Sequence, residues 1–366
     1  MVIVVILIAI AAAGWSFSSD VLVPDYSSWS DPIEIKAVGP QRIVLAQSTD
    51  TERPGYYGLS WEGGHAVLGP VISGNENSVT RRLGDVSGYL VPGVEDARLD
   101  SNVYAGNPHQ ARGLPFASVR IRGELGPMPA WLVPGRSQTW AIVVHGINDT
   151  PQVGLRVAPT LHRLEMPTLL ITYRDDQGAP TSPDGFHHMG LTEWRDLEAA
   201  ARYALAHGAK RLVLVGYSMG GSLVTQFLEH SPLAPDTEAV VLDAPALDWK
   251  AILEFNSEEM GFPGFFALPV EWAIRARIDA DWNALDALQH TDQLHYPTLL
   301  FHGEEDQVVP IQTSEEFARA LPHWVTFFHP RRADHTQSWN VDPSLYDRRL
   351  RRFLLQNTAI LEKQRR

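Results

Sequence analysis

Ser218 stands in the run Gly216-Tyr217-Ser218-Met219-Gly220, with Gly221 directly after it. A serine with glycines two residues away on either side suits a very tight strand-to-helix turn, where bulkier neighbours would collide. The flanking residues supply that context. Arg211-Leu212-Val213-Leu214-Val215 reads as a strand, and Ser222-Leu223-Val224-Thr225-Gln226-Phe227-Leu228 reads as a helix. Such an elbow sets the Ser218 hydroxyl at a helix N-terminus, where backbone N–H groups and the dipole favour developing negative charge. The chemistry implied is nucleophilic attack on a carbonyl carbon.

A serine hydroxyl needs a base within hydrogen-bond reach and a carboxylate to orient that base. With an elbow of this kind the chain order is serine, then acid, then histidine. His302-Gly303-Glu304-Glu305-Asp306-Gln307-Val308-Val309-Pro310 follows a strand ending at Phe301, and Arg331-Arg332-Ala333-Asp334-His335-Thr336 follows the next strand. Asp306 and His335 are therefore expected on consecutive loops at one edge of a sheet. Open α/β sheets form their ligand crevices at that C-terminal edge, which also carries Ser218. Asp243, after the preceding strand, is the alternative acid, in which case Asp306 caps a helix or fixes a turn. Asp334 reads as a loop-stabilising neighbour, and Glu304 and Glu305 as solvent-facing.

The elements that must position these loops begin at Trp140. Strands are predicted at 141–144, 168–173, 211–216, 239–242, 297–301 and 325–328. Helices are predicted at 153–164, 191–206, 220–230 and 314–320, with a terminal helix from 343. That alternation predicts a mostly parallel sheet with helices on both faces. The stretch 245–294 is too long for a simple connection and reads as a small helical insertion over the sheet's C-terminal edge. Its aromatics (Trp249, Phe255, Phe262, Phe265, Phe266, Trp272, Trp282) line a pocket or fill the insertion's own core; both readings stay open. Upstream, 33–122 reads as β-rich, with apolar runs at 43–45, 66–68, 71–72, 89–91 and 119–121 separated by turn residues. No chemistry is identifiable there. Residues 127–137, rich in proline and glycine, form the passage into the second unit.

Composition narrows the function classes. The chain has 366 residues, 44% of them hydrophobic and 20% charged, with a net charge of −13 and no cysteine. It can bury a large core. An acidic balance argues against a sequence-independent nucleic-acid partner, which needs basic residues to displace counterions. Absence of cysteine removes disulfides, thiolate metal sites and a catalytic thiol. His187-His188 and the pair His290 and His295 lack the spacing of a metal site and read as surface or core residues. Gly123-Glu124-Leu125-Gly126 lacks the full glycine spacing of a dinucleotide site, so no cofactor is expected. Asn148-Asp149-Thr150 has the form of a glycosylation sequon but lies beside the expected site.

From about Trp140 to Leu355 the chain resembles an α/β-hydrolase. Within that superfamily it is similar to the serine hydrolases of the bem46-like and serine aminopeptidase-like group. The domain reading is an α/β-hydrolase fold over 127–366 with a cap insertion at about 245–294, after a β-rich N-terminal module over 18–126. The resemblance places His145 and Gly146 in the loop that supports an oxyanion hole, with the backbone N–H groups of Ile147 and Met219 as its donors. The charged run Tyr173-Arg174-Asp175-Asp176-Gln177 resembles the loop flanking the active site. His145 is expected to hydrogen-bond the oxyanion loop rather than move protons. The implied activity is hydrolysis of a carboxylic ester of a small acyl substrate by Ser218, His335 and Asp306. Peptide or amide hydrolysis and acyl transfer are the alternatives within the class. A non-catalytic binding protein on the same fold is the alternative outside it.

Residues 1–17 are almost entirely aliphatic and uncharged, with Trp15 and Phe17 at the far end. The stretch is marginal for a bilayer span of about 20 residues and lacks the basic start of a signal peptide, though Ala11-Ala12-Ala13 suits a cleavage site. The expectation is membrane anchoring or export through this segment, with a buried first strand or helix as the alternative. The run Arg348-Arg349-Leu350-Arg351-Arg352, with Lys363, Arg365 and Arg366, reads as a solvated helix face.

Overall fold

A computed structural model describes residues 2–27 and 30–359, with side chains from residue 10 onward. Helix α1 (Val2–Leu22) precedes a six-stranded antiparallel sheet made of β1 (Ile35–Gly39), β2 (Arg42–Ala46), β3 (Tyr57–Trp61), β4 (Gly64–Asn75), β5 (Ser78–Ser87) and β6 (Arg98–Asp100). The short helix α2 (Thr49–Glu52) lies between β2 and β3. The strands lie in the order β1-β2-β5-β4-β3-β6 over a core that includes Ile35, Ile43, Leu45, Leu59 and Leu68. Two expected strands at 66–68 and 71–72 are a single one, β4, because Gly69-Pro70 is absorbed by irregularities in its pairing with β5 instead of ending the strand. The run 89–91 is not a strand.

After α3 (Pro108–Arg112), the chain builds a second sheet in the order β14-β13-β12-β11-β9-β10-β8-β7. Its strands are β7 (Ala117–Arg122), β8 (Pro127–Val133), β9 (Thr139–Val144), β10 (Thr168–Ile171), β11 (Arg211–Tyr217), β12 (Thr237–Asp243), β13 (Thr298–Phe301) and β14 (Val325–Phe328). The six from β9 to β14 are parallel, and the β7–β8 hairpin extends the edge antiparallel to β10. The apolar run at 119–121 thus belongs to the second sheet, not to the β-rich module. A short hairpin turn ties it to β8, which local punctuation cannot distinguish from a module boundary.

Alternate side chains on each parallel strand fill two cores. Ile142, Val144, Leu212 and Leu214 pack with α5 (Trp194–Ala206), α6 (Met219–His230) and α9 (Ile311–Ala320); Ala141, Val143, Val213 and Val215 pack with α4 (Ala158–Arg163) and α11 (Pro343–Asn357). The helix expected at 153–164 is broken into a 3₁₀ turn, Pro151–Arg156, and α4, because Pro159 cannot donate to a continuous helix and instead starts a new one. The insertion holds α7 (Trp249–Glu259) and α8 (Leu268–Ile278), and α10 (Ser338–Val341) follows the last loop.

Ile252, Leu253, Ala267, Ile274 and Ile278 of the insertion, with Trp249, are buried and join the core on the α5–α6 side of the sheet. Phe262, Phe265, Phe266 and Trp272 do not join it; they face outward. Among the described residues no helix is long and apolar enough to cross a membrane. The second half of α1 lies against α8, and Ser18 and Leu22 are fully buried.

Candidate active site

Strand β11 ends at Tyr217 and α6 begins at Met219, which leaves Ser218 alone on the turn with φ 51° and ψ −121°. That left-handed backbone is strained for a residue with a side chain and persists only where the surroundings enforce it. Two glycines make it possible. A Cβ on Gly216 would lie 2.6 Å from the Gly220 carbonyl oxygen, and one on Gly220 would lie 2.4 Å from that of Val144.

His335 Nε2 lies 2.9 Å from Ser218 Oγ, and its Nδ1 lies 2.9 Å from Asp306 Oδ2. The carboxylate accepts from Nδ1–H, so Nε2 is left to accept the serine proton. Asp306 Oδ1 also accepts from the N–H groups of Val308 and Val309, at 2.9 and 2.8 Å. Burial pushes the Asp306 carboxyl up, yet His335 and His302 outweigh it and hold it well below the usual carboxylate range. Burial pulls His335 down, and the Asp306 charge and hydrogen bond overcome that, so its pKa is raised. Asp243, the alternative acid, is turned elsewhere. It accepts from Ser338 Oγ at 2.9 Å, and burial pushes its pKa up to about 6.

The loop after β9 closes on the nucleophile from the other side. A Cβ on Gly146 would sit 2.9 Å from Ser218 Cβ, so only glycine permits this approach. Ile147 follows on that loop, and Met219 opens α6. Beneath them His145 is fully buried and stacked on Tyr173 at 4.5 Å. Its Nδ1 is 2.8 Å from the Gly146 carbonyl and its Nε2 is 2.8 Å from Asp176 Oδ2. Both partners accept, so the protonated ring fits both contacts. Burial pulls His145 down, but Asp176 outweighs it and its pKa is raised. The Tyr173 hydroxyl donates to the same Gly146 carbonyl at 2.7 Å.

Several supporting residues carry no sequence signal. His302 Nε2 lies 3.2 Å from Asp306 Oδ2 and 3.0 Å from the Val309 carbonyl, while its Nδ1 meets Ser314 Oγ at 2.7 Å. Arg156 is buried, donates to the Thr336 carbonyl and to Asn340 Oδ1 at 2.8 Å each, and lies over the Tyr217 ring. It thereby joins the His335 loop to β11. The β-rich module reaches the same loop. Arg53 pairs with Asp334, Tyr57 donates to Gln337 Oε1 at 2.7 Å, and Asn340 Nδ2 donates to the carbonyls of Tyr56 and Ser101. A cavity of about 630 Å³ opens between the two units, lined by Tyr57, Trp61, Asp100, Ile147, Asp149 and Gln337 among others.

The remaining candidates are occupied elsewhere. Asn148 is buried and accepts from the Asp25 N–H and from His187 Nε2. His188 pairs with Asp184, His290 meets Asn283, and His295 stacks on Trp324. Among the described residues no cluster of His, Asp and Glu could hold a metal. Arg349 lies over Phe328, and Lys363, Arg365 and Arg366 fall outside the described residues.

Residues 182–343 match the prolyl oligopeptidase family, and residues 34–100 match a domain of unknown function, DUF8805. The chain is 25% identical over 180 residues to a pimeloyl-[acyl-carrier protein] methyl ester esterase of Vibrio atlanticus, covering 38% of this chain and 69% of that one. Among solved structures it is similar to an esterase of Pyrococcus furiosus (TM-score 0.55, 19% identity, 69% of this chain and 95% of that one). It is also similar to a proline iminopeptidase-related protein of Thermus thermophilus (TM-score 0.52, 15% identity, 68% and 100%). Sheet order, nucleophile elbow and family match together define an α/β-hydrolase. The chain is a serine hydrolase of that superfamily. Nothing in these matches singles out the bem46-like group.

Proposed function

We propose that this enzyme hydrolyses a carboxylic ester through an acyl-enzyme on Ser218. The observation that carries the reading is the unbroken hydrogen-bond line from Ser218 Oγ through His335 to Asp306. Ser218 Oγ attacks the carbonyl carbon as His335 Nε2 takes its proton. The tetrahedral oxyanion is held by the backbone N–H groups of Met219 and Ile147. The carbon–oxygen bond to the alcohol then breaks, and the alcohol leaves with the proton from His335. Water repeats the sequence on the acyl-enzyme and releases the acid. Asp306 stays ionised and stabilises the imidazolium. The esterase names among the relatives support an ester substrate. The family match over residues 182–343 favours a second reading, hydrolysis of a peptide or amide bond by the same groups.

The test is turnover of p-nitrophenyl esters from acetate to laurate by wild type and Ser218→Ala, with an aminoacyl p-nitroanilide alongside. Ester turnover lost in the variant supports the proposal, and the chain-length optimum sizes the acyl site. Anilide turnover at a comparable rate moves the assignment to a peptidase. Folded wild-type protein that turns over neither substrate and is not acylated by a serine-reactive fluorophosphonate favours the non-catalytic binding reading.

A further inference from the structure

Outside the site, the largest anomaly is apolar surface. Phe262, Phe265, Phe266, Leu268 and Trp272 of the cap are exposed, from 47% at Phe266 to 64% at Phe265. The phenylalanines cluster, with ring centroids 5.5 Å apart for Phe262–Phe266 and 4.9 Å for Phe265–Phe266. Leu268 and Trp272 share one face of α8 at a spacing of four residues. Contiguous exposed apolar surface of this kind marks a contact site.

Helix α1 identifies the contact. Gly14 lies against Pro269 near the start of α8, so close that a Cβ would meet its carbonyl at 2.5 Å. Further along, Arg277 near the end of α8 donates to Ser18 Oγ at 2.7 Å and Ser19 Oγ at 2.9 Å. The two helices therefore run in the same direction. Gly14 thus sits at the start of α8, the end that directly follows Phe265 and Phe266 in the chain. The sequence before Gly14, Val2-Ile3-Val4-Val5-Ile6-Leu7-Ile8-Ala9-Ile10-Ala11-Ala12-Ala13, holds no polar residue. A helix apolar all round is buried either in the core of a large protein or in a membrane, and the contact α1 makes here is with the single helix α8. Trp15 and Phe17 follow at the junction, where aromatic rings favour the headgroup level.

We infer that the cap aromatics and the apolar half of α1 form one docking surface for the hydrocarbon of a lipid bilayer. The cap that overlies the sheet edge carrying Ser218 would then rest on the membrane. The attachment is apolar, so it does not require anionic lipid. It is independent of which bond Ser218 cleaves.

Flotation of the full-length protein with phosphatidylcholine vesicles tests this, using Ser218→Ala so that hydrolysis plays no part. Two further variants compare with it: the triple change Phe262→Ser, Phe265→Ser, Trp272→Ser, and Ile10→Asp. All four positions are exposed, so thermal stability in detergent should be unchanged. The expected result is vesicle binding that survives high salt and falls at least about tenfold in partition coefficient in each variant. Unchanged binding of the triple variant would overturn the role of the cap. Binding only to anionic vesicles, reversed by salt, would overturn the apolar contact. A lipid-free dimer that the triple change dissolves, with no vesicle binding, would reassign the surface to a second copy of the chain.

Discussion

His302 and His335 share one oxygen of Asp306: His302 Nε2 lies 3.2 Å from Oδ2 and His335 Nδ1 lies 2.9 Å from it. Asp306 is thus fixed from two sides, by His335 and by a buried histidine at the end of β13. His302 acts through Asp306 and through the loop that carries it.

His302→Ala removes the donor to the Val309 carbonyl and the partner of Ser314. Stability should fall by about 1–3 kcal/mol, the cost of leaving buried polar groups unpaired. Turnover should fall about tenfold or more through misplacement of Asp306, with KM little changed. Chemical denaturation and steady-state kinetics on one preparation separate the two effects. A stability loss with wild-type kcat would reduce His302 to a structural role.

Asp306→Asn should lower kcat by about 10⁴-fold, whereas Asp243→Asn should leave most activity, since its carboxyl bonds Ser338 and not the base. The base must be neutral to accept the serine proton, so kcat/KM falls as pH drops through the His335 pKa. Asp306 raises that pKa above the ordinary 6.5, and the acid limb should therefore sit above 6.5 and move down in Asp306→Asn. Equal damage from both substitutions would reopen the choice of acid.

Gly146→Ala brings a methyl group to 2.9 Å from Ser218 Cβ. The loop must retreat and carry Ile147 with it. Loss of one oxyanion donor costs about 10²–10³ in kcat, and that is the expected fall. Equal impairment of KM and kcat, or none, would argue against this loop as the oxyanion support.

Asp176→Asn tests the buried His145 imidazolium. The folded-state pKa of His145 is raised, so the stability its pairing contributes is fully present below the unfolded value of 6.5 and is lost as pH rises through the folded pKa. The variant should be destabilised by about 3–5 kcal/mol on the acid side, and by less in alkaline solution. Melting curves across that range read the difference. A pH-independent loss would mean that His145 is neutral.

Ser218, Asp306 and His335 are legible as a set because each follows a strand, and strand ends are what apolar runs and glycines mark most clearly. The parallel sheet is legible for the same reason. His302 is not, since nothing in a His-Gly pair after a strand tells a buried clamp from a loop residue. Arg53 meets Asp334 and Arg156 meets Asn340 across more than 180 positions of sequence, where local pattern carries no information. The misreadings share a cause. Gly69-Pro70 looks like a turn but sits within β4, and of the cap aromatics Trp249 is buried while Phe262, Phe265, Phe266 and Trp272 face outward, because facing is decided by what the fold places opposite.

Arg53, Tyr56, Tyr57 and Ser101 belong to the β-rich half, yet they hold Asp334, Gln337 and Asn340 around the base. Arg81 in turn holds the Arg53 loop through the carbonyls of Thr51, Arg53 and Gly55. The hydrolase half is therefore not a portable cassette. Grafted onto another leader, it would keep its nucleophile and lose the mould in which its histidine is set.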